Sequence, residues 1–350
     1  MPEGEWRTMR KIFLIVALWL QASVAFAAEV TINQYDPATD EFPSYSNDNF
    51  GRPYISIVGE IVPGDFEEFQ RAAITLSHMG APLVARLDSP GGNIEEALKI
   101  ADLIRDMWGT TWILGRSASV EDPDRSIVTC DSACAFIFFA GIERRYTMSN
   151  LRYYDADDPY VIPSEFRFEG GGWVTEAVLG AVLGTGGPYT PLLKTELIPV
   201  LGLHRPYFEP TFNGSLSGED AQSLYTALDT EVSQKLKSFG VPDSLVRRMM
   251  KTPSAKIDRI GQKELFDLMP VIEPWFEEWK LAKCGSLSQD ESTDYWSAKI
   301  ERDNRFGSVD GQARYSESYW QFLAGRKNTI DQCGLDLLLD RQSVVLQAIE

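Results

Sequence analysis

The sequence predicts an α/β fold with a parallel sheet and a C-terminal helical appendage. Segments with the apolar character of buried strands alternate with segments whose apolar residues recur at helical spacing. The clearest unit is a strand over 82–88, a turn containing Gly91 and Gly92, and a helix over 94–107. A strand, a glycine turn and a helix in this order form the βα unit of a parallel sheet. The 350 residues, of which 44% are hydrophobic, suffice for one large domain with appendages.

Residues 1–27 have the pattern of a cleaved signal peptide. Basic residues precede a short apolar run at 12–20, and Ala25 and Ala27 form a small-x-small cleavage site. The apolar run is too short to span a bilayer. We therefore expect a mature chain that begins near Ala28 and is periplasmic or secreted, in a compartment where disulfides persist.

The next segments begin the folded core. Residues 28–53 are polar and are expected to form an extended lead-in. A strand pattern over 54–62 ends at a Pro-Gly pair, and apolar residues at helical spacing follow over 65–79. Together with the strand-turn-helix unit and a further strand over 110–114, these segments predict alternating strands and helices.

Ser132 lies where a β-branched run gives way to a run of small and aromatic residues that ends at Gly141. This pattern predicts a strand, a tight turn and a buried helix. Backbone N–H groups at a helix start have no intrahelical partner and carry partial positive charge, so they can hold an oxyanion beside the hydroxyl. The alternative is that Ser132 serves only as the N-cap of the helix.

Residues 149–195 contain glycine-rich segments around an apolar run. This segment is either a lid or partner-binding flap, or a passive surface excursion. An apolar strand over 196–203 then leads to His204. A histidine at this strand end is either the base that activates a serine hydroxyl or a residue satisfied by hydrogen bonds.

Residues 275–350 place many aromatic side chains among charges and end in an amphipathic segment, which predicts a small helical appendage. Cys284 and Cys333 flank its polar helical part, which has few residues for a core, and we expect a disulfide between them. This disulfide would stabilise the appendage by roughly 3 to 4 kcal/mol. Cys130 and Cys134 straddle the serine, and the sequence leaves open whether they are bridged, free or packed.

The composition argues against several classes of ligand. The chain has 33 basic and 51 acidic residues, a net charge of -18, which argues against nucleic acid or an anionic lipid surface as partner. The only two histidines, His78 and His204, are not at ligand spacing from the four cysteines, so we expect no metal site. No cofactor is expected.

The order of these motifs resembles the Clp-protease-like serine peptidases of the ClpP/crotonase superfamily, and in particular their exported bacterial relatives. The resemblance rests on three segments: the Leu-Asp-Ser-Pro-Gly-Gly turn at 87–92, Cys-Asp-Ser-Ala-Cys at 130–134 with its apolar helix, and His-Arg-Pro at 204–206. It covers about residues 54–148 and 196–268. The resemblance implies a βαβ spiral core over 54–274 with an insertion at 149–195, because the family passes from the nucleophile to the histidine in a much shorter segment. It also implies a peptide or protein substrate and no ATPase partner.

The resemblance also implies a role for each site residue. Ser132 is expected to be the nucleophile and His204 the general base. The N–H groups of Gly91 and Ala133 are expected to form the oxyanion hole, and Gly92 lines the same turn.

The third member of the family's triad, an acid that orients the imidazole, is expected near 252–258. The best register places a non-acidic residue at that position and puts Asp258 one residue away. Four alternatives stay open: Asp258 after a small shift, Ser254, a backbone carbonyl, or a dyad without a third member.

The sequence therefore predicts an exported serine hydrolase that acts as a peptidase. The alternative is a catalytically inactive periplasmic binding or scaffold protein on the same fold, which the missing acid and the two cysteines beside the serine favour. Crotonase-type acyl-CoA chemistry is disfavoured because CoA is scarce outside the cytoplasm. A homo-oligomer is one expectation, and the insertion at 149–195 would oppose it by stopping subunits from stacking into the barrel typical of Clp peptidases.

Overall fold

The computed structural model describes residues 27–34, 52–114, 117–118, 128–147, 150–154, 166–167, 173–174, 194–198, 200–206, 217–303 and 315–349. Over these ranges the chain is a mixed α/β protein with parallel and antiparallel sheets. The expected signal segment up to residue 26 and most of the insertion lie outside them. Whether the insertion is a lid or a surface excursion therefore stays a prediction.

The main sheet alternates strands with covering helices. Its elements are β1 Glu29–Gln34, β2 Pro53–Val58, α1 Asp65–His78, β3 Val84–Asp88, α2 Ile94–Asp106, β4 Thr110–Leu114 and β7 Glu143–Thr147. The five strands lie in the order β1-β2-β3-β4-β7, and all neighbours are parallel except β1 and β2. The predicted alternation of strands and helices in this part of the chain is confirmed.

The start of α2 is tied to the start of α1. The Asn93 side chain caps α2 by accepting a hydrogen bond from the Glu96 N–H at 3.0 Å. The Glu96 carboxylate in turn accepts hydrogen bonds from the N–H groups of Gly64 and Phe66, both at 3.1 Å. A carboxylate at a helix start is favoured by the helix dipole. These bonds hold the glycine turn that immediately precedes α2.

The expected lead-in contains a strand. β1 pairs antiparallel with β2 from Glu29↔Val58 to Gln34↔Pro53, so the sheet begins well before residue 54. Val30 and Ile32 pack against the core, while the residues between them are polar. This alternation is typical of an edge strand with one buried face.

A smaller three-stranded sheet carries the candidate site. It contains β6 Cys130–Asp131, β12 Leu201–Leu203 and β13 Asp258–Ile260, in the order β13-β12-β6. β12 runs parallel to β6 and antiparallel to β13. Helix α3, Ala133–Ala140, leaves β6 and is buried along its whole length, which explains its apolar sequence.

The prediction of one strand over 196–203 is wrong. That segment contains the end of β11 (Lys194–Ile198) and all of β12, and the two strands belong to different sheets. Pro199 separates them in sequence, and a proline has no N–H to continue a hydrogen-bond ladder. The remaining short strands are β5 Ser117–Ala118, β8 Asn150–Tyr154, β9 Phe166–Arg167 and β10 Trp173–Val174.

Apart from β13, the regular elements described after residue 217 are helices. They are α4 Gly218–Ser238, α5 Asp243–Lys251, α6 Gln262–Leu268, α7 Pro274–Cys284, α8 Gln289–Asp303 and α9 Glu317–Gln347. A disulfide joins Cys284 at the end of α7 to Cys333 in α9, as predicted. Within the described ranges, no helix combines the length and apolar character needed to cross a membrane.

Candidate active site

Ser132 occupies a strained turn between β6 and α3. Its backbone has φ 55° and ψ -119°. Residues other than glycine rarely adopt this conformation, which costs about 1–3 kcal/mol of conformational free energy. The side chain makes no capping hydrogen bond to the helix. The hydroxyl therefore does not accept the hydrogen bond that defines an N-cap. The residue is half-buried and lies at a sharp strand-to-helix turn, a geometry that exposes the nucleophile in some hydrolases.

A disulfide closes around this turn. Cys130 in β6 and Cys134 in the first turn of α3 are bonded, with their Cα atoms 5.1 Å apart, and both residues are fully buried. Of the alternatives left open by the sequence, the structure contains the bridged form. On the chain-entropy estimate, closing so short a loop stabilises the fold by about 2 kcal/mol, which offsets the strain at Ser132.

The glycine turn packs directly against the serine. A Cβ added at Gly91, where φ is +99°, would lie 2.6 Å from the Ser132 Cβ and 3.0 Å from the Ala133 nitrogen. A Cβ added at Gly92 would lie 2.2 Å from the Ile61 carbonyl oxygen. Both positions therefore require glycine, and the turn lies beside the serine as the sequence predicts for an oxyanion site.

The N–H groups of the two glycines differ in their partners. The Gly91 N–H donates to the hydroxyl of the buried Ser89 at 3.1 Å. The N–H groups of Gly92 and Ala133 donate to no acceptor within the described part of the chain, and Gly92 is exposed. Ala133 opens α3, where an N–H lacks an intrahelical partner. Gly92 and Ala133 are thus the two donors of this turn that face no internal acceptor.

His204 follows the strand next to the one that leads to Ser132. The register pairs Leu201 with Cys130 and Gly202 with Asp131, so Ser132 and His204 follow the same end of two parallel strands, which lie about 4.8 Å apart. His204 is 6% exposed. Sheet pairing therefore places the turn of Ser132 and the segment of His204, 72 positions apart in the sequence, at the same end of two neighbouring strands.

A backbone carbonyl contacts the imidazole of His204. The Nδ1 atom lies 2.8 Å from the carbonyl oxygen of Arg205. A proton on Nδ1 is donated to this oxygen, which makes Nε2 the nitrogen that carries the lone pair. This is the tautomer that a general base requires.

The carboxylate of Asp258 contacts an arginine. It accepts hydrogen bonds from the Arg248 Nε at 2.5 Å and from the Arg248 Nη2 at 2.8 Å, and Arg248 also pairs with Glu264. The hydrogen bonds from Arg248 hold the pKa of Asp258 below its usual range. The triad role of Asp258 stays a prediction, while the carbonyl of Arg205 is the acceptor that the structure places on the His204 ring.

Sequence reasoning missed Asp131, the acid next to the serine. Its side chain lies over Gly202, because a Cβ added there would be 2.2 Å from Asp131 Oδ1. Oδ2 pairs with Arg259 at 2.7 Å, whereas the buried Oδ1 has no hydrogen-bond partner within the described residues. Burial raises the pKa of Asp131, and the positive charge and hydrogen bond of Arg259 oppose that rise. The sequence does contain a clue, because Asp131 directly precedes Ser132 and lies between Cys130 and Cys134.

Comparisons with known proteins assign no family. No family model and no curated protein matches the chain. Among solved structures, the chain is similar to one described as the 1510-N membrane-bound stomatin-specific protease, in a mutant form, with a TM-score of 0.33 and 11% sequence identity. The match covers 74% of this chain and 88% of that chain. At this similarity neither fold family nor activity is transferred.

Proposed function

We propose that this protein is an exported serine hydrolase that cleaves peptide bonds, built on a ClpP/crotonase-like core. The observation that carries the proposal is the conformation of Ser132. It stands in the left-handed region with a hydroxyl that caps nothing, against the glycine turn and beside the strand end of His204. A strained residue held in this way is typical of a functional site.

In the proposed reaction the Ser132 Oγ attacks the carbonyl carbon of a peptide bond while its proton passes to Nε2 of His204. The resulting oxyanion accepts hydrogen bonds from Ala133 and Gly92, whose N–H groups have no acceptor among the residues that the structure describes. The C–N bond then breaks and the imidazolium returns the proton to the leaving amine. Water, deprotonated by His204, hydrolyses the ester that remains on the serine.

Two further groups support the base. The Arg205 carbonyl holds the Nδ1 proton of His204 and so fixes the tautomer. Asp131 supplies the buried negative charge that favours the imidazolium formed during the reaction. The N–H of Gly91 already donates to Ser89, so it is not an oxyanion donor in this proposal. Gly91 instead allows the turn to pack closely against Ser132, because it has no side chain.

A fluorophosphonate probe, which reacts covalently with activated serines, tests the proposal. We expect the purified protein to be labelled, and Ser132→Ala and His204→Ala to abolish labelling in protein that remains folded by circular dichroism. Ser119→Ala, which removes another serine of the same region of the sequence, is the matched control and should label like wild type. Equal labelling of wild type and Ser132→Ala would remove Ser132 as the nucleophile.

The second candidate is a non-catalytic binding protein on the same scaffold. It is favoured by the carbonyl, rather than a carboxylate, that contacts the His204 Nδ1. This candidate is supported if folded wild-type protein resists the probe at high concentration. In either case we expect no nucleic-acid partner and no ATPase partner. The two disulfides are typical of an oxidising compartment and fit export.

A further inference from the structure

A basic groove lies beside the strand end that carries His204. It has a volume of ≈ 630 Å³ and is bounded by α5 and the loop that follows that helix. The residues of the groove that matter here are Arg247, Arg248, Lys251, Thr252, Lys256 and Ile257.

Three of the four cations in the groove have no carboxylate partner within the described chain. Arg248 is committed to Asp258, the one acidic side chain of the lining, and to Glu264. The exposed side chains of Arg247, Lys251 and Lys256 form no ion pair with the residues that the structure describes. The groove therefore carries a net positive charge that nothing described on the protein neutralises.

This charge is unexpected for the chain as a whole. The net charge is -18, so most of the surface repels anions. Arg247 and Lys251 also lie four residues apart on α5, a spacing at which like charges destabilise a helix. A cluster of cations on an acidic protein attracts anionic ligands to one place.

The groove reaches the backbone on both sides of His204. The Arg205 N–H donates to the Thr252 carbonyl at 3.0 Å. Ile257 covers Gly202, since its Cγ2 would lie 2.5 Å from a Cβ built there. Two residues of the groove, Thr252 and Ile257, therefore contact the chain on either side of the buried His204.

We infer that this groove binds the carboxylate-bearing part of a peptide substrate, an inference that rests on the proposed hydrolase function. The carboxylate is either an Asp or Glu side chain near the scissile bond or the C-terminus of the peptide. Both are anions with two acceptor oxygens, which exposed Lys and Arg side chains bind through charge-assisted hydrogen bonds. Several such contacts together should favour an acidic peptide over a neutral one by about tenfold or more.

Peptide binding to the Ser132→Ala variant tests this inference by fluorescence anisotropy at low salt. Three octapeptides with the same neutral dye are compared: glutamate-rich with an amidated C-terminus, glutamine-rich with a free C-terminus, and glutamine-rich with an amidated C-terminus. We expect the first or the second to bind about tenfold more tightly than the third. Which of the two does so identifies the source of the carboxylate.

Charge variants locate the binding. Arg247→Gln combined with Lys251→Gln should remove the preference for the charged peptide. Arg71→Gln combined with Lys283→Gln removes two exposed charges elsewhere and should leave the preference intact. Equal affinity for all three peptides, or a preference that survives the Arg247 and Lys251 changes, would overturn the inference.

The binding test is independent of catalysis because it uses protein without the nucleophile. A preference for acidic peptides in a protein that resists the fluorophosphonate probe would reject the hydrolase and keep the anion groove. Probe labelling without a preference for acidic peptides would keep the hydrolase proposal and reject the anion groove.

Discussion

The backbone N–H of Ser132 donates a hydrogen bond to the carbonyl oxygen of Gly202 at 3.0 Å. This bond joins the proposed nucleophile to the strand that ends at His204. The ladder between β6 and β12, rather than a loop, therefore sets the relative position of the two residues. Gly202 also has a second role, since its missing side chain leaves the space that the Asp131 carboxylate occupies.

We expect Gly202→Ala to damage the site without altering a proposed catalytic side chain. The new Cβ would lie 2.2 Å from Asp131 Oδ1 and 2.5 Å from the Ile257 Cγ2, so both must move. Overpacking of this kind costs about 1–3 kcal/mol. Denaturant unfolding should show that loss, and the rate of fluorophosphonate labelling should fall with it.

Gly218→Ala is the matched control for Gly202→Ala. No heavy atom lies within 4 Å of a Cβ built at Gly218. Stability and labelling should therefore stay at wild-type level or improve slightly, because alanine favours helix. A Gly202→Ala protein that behaves like this control would contradict the packing of Asp131 over Gly202.

The Asp258→Asn variant tests whether Asp258 stabilises the fold or acts as the acid of a catalytic triad. Because the carboxylate binds Arg248 through two hydrogen bonds, we expect a loss of stability of up to about 1 kcal/mol and little change in labelling rate. Loss of a triad acid instead lowers the rate by about 10⁴-fold. A decrease of that size in folded Asp258→Asn protein would assign the acid of the triad to Asp258.

The same ion pair predicts how stability depends on pH. Arg248 lowers the pKa of Asp258 below its ordinary value of 3.8. A carboxyl whose pKa is lower in the folded state contributes stability above its unfolded pKa, and this contribution is lost as the pH falls through the folded value. The difference in free energy of unfolding between wild type and Asp258→Asn should be constant from about pH 5 to about pH 8 and shrink below about pH 4. A difference that grows in acid would have the wrong sign.

Local patterns predicted the core of the site. The turn at Ser132, the buried helix that ends at Gly141 and the glycine turn beside Gly91 each depend on residues close together in the sequence. Turn and helix-end preferences act over such short ranges, so one sequence suffices to predict them. The Cys284 and Cys333 pair was predicted for a different reason, because few other groups could hold that part of the chain together.

The features of the site that could not be predicted depend on pairing between strands that are distant in the sequence. Which group meets the His204 ring depends on the registers of β12 with β6 and with β13, and these are not visible in one sequence. The same register puts Asp131 over Gly202. The edge strand Glu29–Gln34 was missed because its short alternation is followed by a long polar segment.

Loss of the Cys130 and Cys134 disulfide should reduce activity as well as stability. In the double alanine variant we expect about 2 kcal/mol less stability, and a lower labelling rate because the strained turn at Ser132 is no longer closed. Replacing Cys284 and Cys333, which close a much longer loop, should cost about 4 kcal/mol yet leave the labelling rate of folded protein unchanged. If loss of either disulfide changed the labelling rate equally, the Cys130–Cys134 disulfide would have no specific role in holding the turn at Ser132.

Asp131→Asn should slow the reaction while largely preserving the fold. The amide has nearly the shape of the carboxylate and can still accept a hydrogen bond from Arg259, but it carries no charge. When Ser132 gives up its proton, His204 becomes positive, and the field of Asp131 no longer stabilises that charge. At an effective dielectric constant near 20, we expect the loss of this charge to lower the labelling rate about tenfold to a hundredfold. Asp258→Asn, which removes an acid whose contacts are to Arg248, is the control for a general effect of charge. Folded Asp131→Asn protein that labels as fast as this control would show that Asp131 plays no part in supporting the base.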